Sequence, residues 1–345
     1  MTISNLKIPM LILTAIALLA VPHVVEDYYM MHMIIMFLIW SLFSSSYNIL
    51  LNAGQLSLAH NALFAVGGYA SAIFMMKFGV PFALSMILGA ALAMLCGLFI
   101  GKITVKMRGS HFVLVTFAFA EICRISANNW TSVTNGPNGL RGIPGPEFFG
   151  VPIFEMSSLY YIALALLAMV LFVSWRMLYG RLGRTFIALR TSEDLAEAVG
   201  LGHTKYIMIA IAVSCFLTGI AGAYYAHYIT LVSPELSKFQ YMIYLLIMVI
   251  AGGRYTLGGP IVGAGIFVFL TEFLRFFDMY RMLIFGVLLI LVVMYMPSGL
   301  YPSILSWIKR TFKGKGPGTP ANEKSEQDSP EPALNPGQKL SSKES

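Results

Sequence analysis

Ten apolar segments, most of them long enough to cross a membrane, follow one another along this chain of 345 residues. A membrane-spanning helix needs about 20 largely apolar residues, and somewhat shorter segments are tolerated. Because hydrocarbon offers no partners to backbone N–H and C=O groups, such segments are predicted to be helices. The candidate spans lie near 8–25, 33–51, 60–76, 82–101, 111–127, 157–175, 206–228, 241–252, 260–275 and 282–298. The sequence therefore predicts an all-α polytopic membrane bundle of about ten spans, with irregular, broken or re-entrant segments near 52–70 and 241–260.

Composition supports a membrane protein and argues against a soluble one. Hydrophobic residues make up 57% of the chain and charged residues only 11%, against about 25% charged residues in ordinary soluble domains. A soluble fold has too little polar surface here to cover itself. The net charge of +7 comes without a basic face or an aromatic stacking platform. We therefore expect the lipid bilayer, and not nucleic acid, as a partner.

The distribution of the cations predicts the orientation. With the amino terminus in the cytoplasm, alternating spans place most loop cations on the cytoplasmic side, as the positive-inside rule requires. The first segment is interpreted as a retained helix, since no A-x-A cleavage signature follows it. The predicted cytoplasmic cations are Lys102, Lys106, Arg108, Arg176, Arg181, Arg184, Arg190, Lys205, Arg254, Lys309, Arg310, Lys313 and Lys315. An even number of spans, with both termini in the cytoplasm, is the consistent solution.

Two regions of different character follow from the pattern. Residues 1–308 form the predicted transmembrane domain, which includes a cytoplasmic segment at 180–205 and an outside loop at 128–156. Residues 309–345 are rich in Pro, Ser, Glu and Lys and contain almost no apolar residues. A segment with so little to bury is predicted to be a disordered cytoplasmic tail.

The cytoplasmic segment contains a short predicted helix with its own start and stop signals. Thr191 is a candidate N-cap, and Asp194 three residues later completes a capping-box pattern. Glu193 and Asp194 lie in the first turn, where the helix dipole favours anions, and Gly200 is a natural stop signal. An isolated helix this short is marginal in water. We expect it to lie in a groove of a partner protein, with a connector helix on the membrane surface or on its own protein as the alternative.

Five segments carry a resemblance to a known family. The stretch EDLAEAVGLGHTKY is similar to the Glu-Ala-Ala…Gly loop by which permease subunits of ABC importers seat in their ATPase subunits. Together the five resemble the branched-chain amino acid permease family of ABC transporters, of the LivM type, over residues 33–302, and the run NGPNGLRGIPGP within the second is the most specific. The segments are NILLNAGQLSLAHNALFAVGGYASA (48–72), TFAFAEICRISANNWTSVTNGPNGLRGIPGP (116–146), GRTFIALRTSEDLAEAVGLGHTKY (183–206), FLTGIAGAYYAHYITLVSPE (216–235) and IAGGRYTLGGPIVGAG (250–265).

The resemblance implies a function and a set of partners. It implies a permease subunit in the bacterial cytoplasmic (inner) membrane that imports branched-chain amino acids. A second related permease would complete the pathway, two ABC ATPase subunits would bind the ATP, and an extracytoplasmic solute-binding protein would deliver the substrate. The chain itself would need no cofactor and no metal. Similar permeases serve urea, short amides and other amino acids, so these substrates stay open.

The same resemblance implies two sets of contact residues. The loop that would meet the solute-binding protein contains Gly136, Pro137, Asn138 and Gly139. Both Glu193 and Glu197 fit the acidic position of the Glu-Ala-Ala pattern, so the glutamate that faces the ATPase stays open. The residues that would couple to the ATPase are Arg190, Thr191, Ser192, Glu193, Asp194, Ala196, Glu197, Ala198 and Gly200.

Polar residues inside apolar segments are candidates for the pathway or its gates. Membranes tolerate polar groups and irregular backbone only where they face protein or a water-filled cavity. Interhelical hydrogen bonding is the alternative role. The two broken segments also hint at an internal repeat of the kind found in transporters. In the first segment the candidates are Gln55, Ser57, His60 and Asn61, and in the second they are Tyr255 and Thr256.

Two Glu-x-x-Arg pairs lie near the outer ends of predicted spans: Glu121 with Arg124, and Glu272 with Arg275. Residues three apart share one face of a helix and can neutralise each other. A charge at membrane depth is also a functional candidate by default. Structural pairing and a role in guiding a zwitterionic substrate or closing an outer gate are therefore both open.

Missing motifs constrain the source of energy. The sequence contains no G-x-x-x-x-G-K-[ST] phosphate-binding loop, so the chain is not expected to hydrolyse ATP itself. No G-x-S-x-G or H-E-x-x-H motif indicates a hydrolase, and the chain is predicted not to be an enzyme. Energy must come from another subunit or from an ion gradient. An ion-coupled secondary transporter and a membrane anchor without transport are the alternatives to the importer.

Overall fold

The structure is a computed structural model that describes residues 18–107, 109–148, 151–153, 155–275, 284, 286–287 and 299–303. The predicted tail at 309–345 lies outside the described residues, as do most of the predicted spans at 8–25 and 282–298. Within the described part the fold is a bundle of α-helices, and its only strands are four two-residue segments.

Six helices in the described residues are long and apolar enough to cross a membrane. Asp27 starts the first of them, because its carboxylate accepts hydrogen bonds from the backbone N–H groups of Tyr29 and Met30, as expected of an N-cap residue. The six helices are α1 (Tyr28–Asn52), α2 (His60–Phe78), α3 (Phe82–Thr104), α4 (Ser110–Asn129), α6 (Met156–Tyr179) and α9 (His203–Ile229). The predicted spans from 33–51 to 206–228 thus correspond to these helices, and the chain is a multi-pass membrane protein.

The remaining helices are shorter. Two of them, α10 (Phe239–Gly253) and α11 (Gly259–Phe273), are apolar and have 15 residues each. Three others lie in the connections: α5 (Thr131–Thr134), α7 (Arg181–Thr191) and α8 (Glu193–Ala198). Strand β1 (Leu140–Arg141) pairs antiparallel with β4 (Leu231–Val232), and β2 (Glu147–Phe148) pairs with β3 (Val151–Pro152). The count of about ten spans and the internal repeat stay predictions.

Helices α1, α2, α3 and α9 form the tightly packed centre of the bundle. Helix α1 is the most buried of the six long helices, and α4 is the least buried. Small residues allow α2 and α9 to approach closely: a Cβ atom added to Gly67 would lie 2.5 Å from the carbonyl oxygen of Gly219. Such contacts between small residues are a common basis of helix association in membranes.

The bundle has two ends that carry different connections. One end, here called the coupling end, carries α7 and α8 together with the turns at 53–59 and 254–258. The other end, here called the loop end, carries residues 130–148 and 151–153, and there His227 Nδ1 lies 2.8 Å from the carbonyl oxygen of Pro144. The described helices therefore alternate in direction as the sequence predicts. The side of the membrane that each end faces stays a prediction.

The segment at 230–238, which contains β4 and a short 3₁₀ helix (Pro234–Ser237), returns into the depth of the bundle. Asn61 donates hydrogen bonds from Nδ2 to the carbonyl oxygens of Ser237 and Lys238, at 2.8 and 2.9 Å. Its neighbour His60 contacts Ser214, which lies eleven residues, or about 16 Å along the axis, beyond the start of α9. Helix α10 therefore begins near the middle of the bundle, and β4 and the residues after it form the other half of a broken span.

Candidate functional site

The segment between α6 and α9 folds into two consecutive helices at the coupling end. Ser192 interrupts them with an extended backbone (φ −156°, ψ 110°), and its hydroxyl oxygen accepts a hydrogen bond from the N–H of Leu195. Thr191 was predicted to cap the second helix, and this is wrong: Thr191 is the last residue of α7, and its hydroxyl donates to the carbonyl oxygen of Ile187. A hydroxyl in a helical turn satisfies the carbonyl four residues earlier and is then turned away from the next helix. The stop signal is confirmed, because Gly200 follows α8 with φ +84°.

Helix α8 turns one side to the protein and the other side outward. Ala196 is buried, whereas Leu195 and Val199 are 70% and 75% exposed. Glu193 Oε1 lies 3.2 Å from His203 Nδ1 at the start of α9, and Glu197 is exposed. Of the two candidate glutamates, Glu193 therefore contacts its own chain and Glu197 belongs to the outward surface with Leu195 and Val199.

A cavity of about 490 Å³ lies beside α7 and α8 at the coupling end. Residues 53–56 of the first irregular segment line it, and so do the first residues of α4 and the junction of α7 with α8. It brings Gln55, a predicted pathway residue, next to four predicted coupling residues. These four are Arg190, Thr191, Ser192 and Glu193.

Arg190 contacts both irregular segments at once. Its guanidinium carbon lies 3.8 Å from the ring centre of Tyr255, which is the geometry of a cation–π contact. On the other side, a Cβ atom added to Gly54 would lie 3.3 Å from Arg190 Cβ. Gly54 has φ +87°, a conformation that glycine adopts at little cost. Arg190 thus connects the coupling helices to the turn before α2 and to the turn before α11.

Asn48 on α1 fixes the second of these turns. Its Nδ2 donates to the carbonyl oxygen of Thr256 at 2.8 Å, and its Oδ1 accepts from the N–H of Tyr255 at 3.4 Å. Tyr255 has φ +70°, an uncommon conformation for a residue with a side chain. Our sequence reasoning missed Asn48. The polar run Ser44–Asn48 inside an otherwise apolar span was the signal that pointed to it.

Three of the predicted pathway residues are buried, and two of them are hydrogen-bonded to segments distant in the sequence. Ser57, His60 and Asn61 are all nearly inaccessible, and His60 Nε2 lies 2.8 Å from Ser214 Oγ. Ser214 in turn donates to the carbonyl oxygen of Ser46 on α1. The neighbouring cavity measures about 10 Å³, which is room for about one water molecule. In this conformation His60 joins α2 to α9, and Asn61 joins α2 to residues 237–238. The hydroxyl of Ser57 accepts from the nearby N–H of Ala59. The role of all three side chains in gating stays a prediction.

The predicted outer residues lie at the loop end or towards it. Gly136, Pro137 and Asn138 form one turn of 3₁₀ helix, in which Pro137 and Asn138 are exposed and Gly136 is buried. Gly139 is buried too and directly precedes β1, so pairing of β1 with β4 ties this turn to residues 231–232.

Both predicted Glu-x-x-Arg pairs form in the structure. Glu121 contacts Arg124 through a two-pronged ion pair on α4, and Glu272 lies 3.1 Å from Arg275. Neither Glu-x-x-Arg pair contacts the predicted coupling residues. The predicted site residues therefore form two groups, one at the coupling end and one towards the loop end. Among the described residues, no three or more His, Cys, Asp or Glu side chains are arranged to hold a metal ion.

Comparison with known proteins agrees with this architecture. The profile of the family described as "Branched-chain amino acid transport system / permease component" matches residues 29–293. The chain belongs to this family. The match leaves out the first 28 residues and the tail, and it includes both irregular segments and the coupling helices.

Individual relatives are similar over most of the chain. The high-affinity branched-chain amino acid transport system permease protein LivM of Salmonella typhimurium is 31% identical over 288 residues, which cover 76% of this chain and 68% of that protein. LivM of Escherichia coli is 31% identical over 273 residues, covering 72% of this chain and 64% of that protein. A probable LivM of Methanocaldococcus jannaschii is 24% identical over 241 residues, covering 63% of this chain and 68% of that protein. These alignments span about two thirds of each relative's length. No solved structure matches the chain significantly.

Proposed function

We propose that this chain is a permease subunit of an ABC importer and forms half of the translocation pathway for branched-chain amino acids. Family membership over residues 29–293 supports the transport role, and the named function of the LivM relatives supports the substrate class. The ATPase subunits, the second permease and the solute-binding protein are separate chains in this proposal. The membrane is the bacterial cytoplasmic membrane, with α7 and α8 on its cytoplasmic side.

The outward surface of α8 is the single feature that carries the coupling part of the proposal. A helix of six residues is not stable by itself in water, yet α8 and the residue after it expose two large apolar side chains, Leu195 and Val199, beside Glu197. An exposed apolar patch beside a charge is suited to a groove on a partner protein. ATP-driven closure of two ATPase subunits would then move α8 and, through Arg190, the turns before α2 and α11.

Uptake by the purified importer tests the proposal. The tagged chain is purified from its native membrane with the subunits that accompany it and is reconstituted in liposomes with the solute-binding protein. We expect ATP-dependent uptake of radiolabelled leucine. Replacing Glu197→Lys reverses a charge on the docking surface and should reduce both uptake and co-purification of the ATPase to background.

A matched control is Glu155→Lys, which makes the same charge change at an exposed position just before α6, at the loop end. Its uptake should stay close to that of the unchanged protein. Retained ATPase binding together with normal uptake in Glu197→Lys contradicts the docking. Leucine uptake that is driven by an ion gradient without ATP supports a secondary transporter instead.

A further inference from the structure

We propose that one face of α4, together with residues 235–239, lines a water-filled pathway at the boundary with the second permease, and that zwitterionic amino acids pass along it. The proposal rests on the proposed function for the identity of the solute. It assigns a surface of this chain that neither the family match nor the coupling segment assigns. We call this surface the pathway face; its members on α4 are Phe117, Glu121, Arg124 and Asn128.

Helix α4 has three distinct faces. Phe112, Thr116 and Ala120 recur every four residues and are buried against the bundle. Ala118 and Ile122, four residues apart, belong to a second, exposed and apolar face, as a lipid-facing stripe requires. Residues at positions 117, 121, 124 and 128 follow helical spacing along a third direction, and two of these four side chains are charged. Glu121 and Arg124 therefore lie on a different side of α4 from Ala118 and Ile122, and Ile125 lies between the two sides.

The charged pair of the pathway face lies deep in the span. Glu121 follows Ser110 by eleven residues and precedes Asn129 by eight, which corresponds to about 16 Å and about 12 Å along the helix. The hydrocarbon core of a bilayer is about 30 Å thick, close to the length of α4, so Glu121 lies nearer the middle of the span than the outer end that the sequence predicted. The charge is paired with Arg124, yet the two side chains remain 37% and 27% exposed.

A second charged pair continues this surface on the broken span. Lys238 contacts Glu235 through an ion pair, and both side chains are about half exposed. Glu235 lies close enough to Arg124 to interact with it electrostatically. Lys238 is held at the depth of Asn61, which bonds its carbonyl oxygen. Four charges of alternating sign thus form one exposed cluster within the membrane-spanning part of the bundle.

An exposed charged cluster at this depth requires water. Removing a paired carboxylate and guanidinium from water into hydrocarbon remains strongly unfavourable, because their mutual attraction does not replace the lost hydration. Charges inside membrane proteins accordingly face the interior of an assembly or an aqueous cavity. Since the cluster is exposed on this single chain, a second subunit must cover it from lipid and enclose the water.

The chemistry of the pathway face fits an amino acid with an apolar side chain. The alternating charges can interact with the carboxylate and the ammonium group of a zwitterion in turn. Phe117 and Phe239 meet edge to face with ring centres 5.2 Å apart, and Phe239 is exposed, so they offer apolar contact to a branched side chain. The same direction of α4 begins at Ser110, which lines the coupling-end cavity, and ends at Asn128 beside the loop end.

Cysteine accessibility in the assembled importer tests the pathway face. The three native cysteines, Cys96, Cys123 and Cys215, are replaced by alanine. Single cysteines are then introduced at Phe117 and Glu121, and at their sequence neighbours Ala118 and Ile122, which are more exposed, as matched controls. The probe is a membrane-impermeant, positively charged methanethiosulfonate, which reacts with thiolates in water. We expect Phe117→Cys and Glu121→Cys to react at least tenfold faster than Ala118→Cys and Ile122→Cys. Each control lies at nearly the same depth as the pathway position beside it in the sequence.

Equal labelling rates of the pathway variants and the control variants overturn the proposal. Absence of labelling at both pathway positions overturns it too, because that result is expected of a dry interface between permeases. Full reaction of every variant after denaturation shows that the thiols are intact, and co-purified ATPase shows that the variant is assembled. Phe117→Cys keeps the test valid if Glu121→Cys does not assemble. Because labelling detects water and not leucine, a labelled pathway face without ATP-driven leucine uptake contradicts the proposed function alone.

Discussion

The contact between Arg190 and Tyr255 gives a direct test of how movement at the coupling end reaches the spans. Tyr255 lies between α10 and α11, and Arg190 lies in the last turn of α7, just before α8. Replacing Tyr255→Leu removes the aromatic ring, and Tyr255→Phe keeps it. All three side chains carry the same Cβ, so the unusual φ of +70° costs a similar amount in each variant.

The size of the effect follows from the geometry of the contact. The guanidinium lies 3.8 Å from the ring centre, and Tyr255 is 39% exposed, which places the pair between exposed and desolvated sites. Cation–π contacts in this range are worth about 0.5–2 kcal/mol, equivalent to a factor of about 2–30 in an equilibrium between two conformations. If that energy is part of the coupling between ATP hydrolysis and transport, Tyr255→Leu lowers the coupling by this factor.

The measurement is the number of leucine molecules imported per ATP hydrolysed by the reconstituted importer. Tyr255→Leu should reduce this ratio, and Tyr255→Phe should leave it close to the unchanged value. Co-purification of the ATPase should be the same in both variants, because the outward surface of α8 is not altered. In a double-mutant cycle, the effects of Tyr255→Leu and Arg190→Gln should be non-additive, since both changes remove the same contact.

Equal import ratios in Tyr255→Leu and Tyr255→Phe would refute this reasoning. The movement would then have to reach the spans by another route, such as the contact of Gly54 with Arg190. A loss of ATPase binding in Tyr255→Leu would show instead that the ring supports docking and does not transmit movement.

Two further predictions concern packing and hydrogen bonding within the bundle. Gly67→Ala should lower the free energy of unfolding by about 1–3 kcal/mol, because the added methyl group would force α2 away from Gly219. A denaturant titration of the purified protein measures the loss. The control is Gly202→Ala, where φ is −64° and the added carbon meets no atom within 4 Å. Asn48→Ala should cost about 1–3 kcal/mol, since it leaves the C=O of Thr256 and the N–H of Tyr255 without their partner. Asn52→Ala, which loses only its bonds to Asn48, should cost less, and an equal loss in the two asparagine variants would contradict the role given to Asn48.

The sequence could predict the class of the fold because membrane spans follow a local rule. Length and apolarity of a segment are sufficient to identify a span, and the six long helices coincide with predicted spans. The short helix at Glu193–Ala198 was also predictable, because its acidic first turn and its glycine stop are local signals. Its N-cap was placed one residue too early, since Thr191 and Ser192 have similar capping ability. Their hydrogen bonds distinguish them: Thr191 donates back to Ile187, and Ser192 accepts from Leu195.

The candidate site was predictable in its parts and not in its arrangement. Gln55, Arg190 and Tyr255 lie more than 60 residues apart along the chain, and no local pattern shows that they meet at one end of the bundle. Asn48 was missed for a related reason: the polar run at its position marks a polar side of α1, but the backbone groups that Asn48 binds are brought to it by a segment about 200 residues away.

By itself the sequence determined that this protein crosses a membrane many times, and the motifs it carries connected it to its family. These properties depend on the composition and spacing of neighbouring residues, which the sequence contains directly. Tertiary structure alone decided that Glu193 faces its own chain, that Glu197 faces outward, and that the charges of α4 share a face with Glu235 and Lys238. Such choices depend on the relative rotation and depth of helices, which are fixed by packing between segments far apart in the chain.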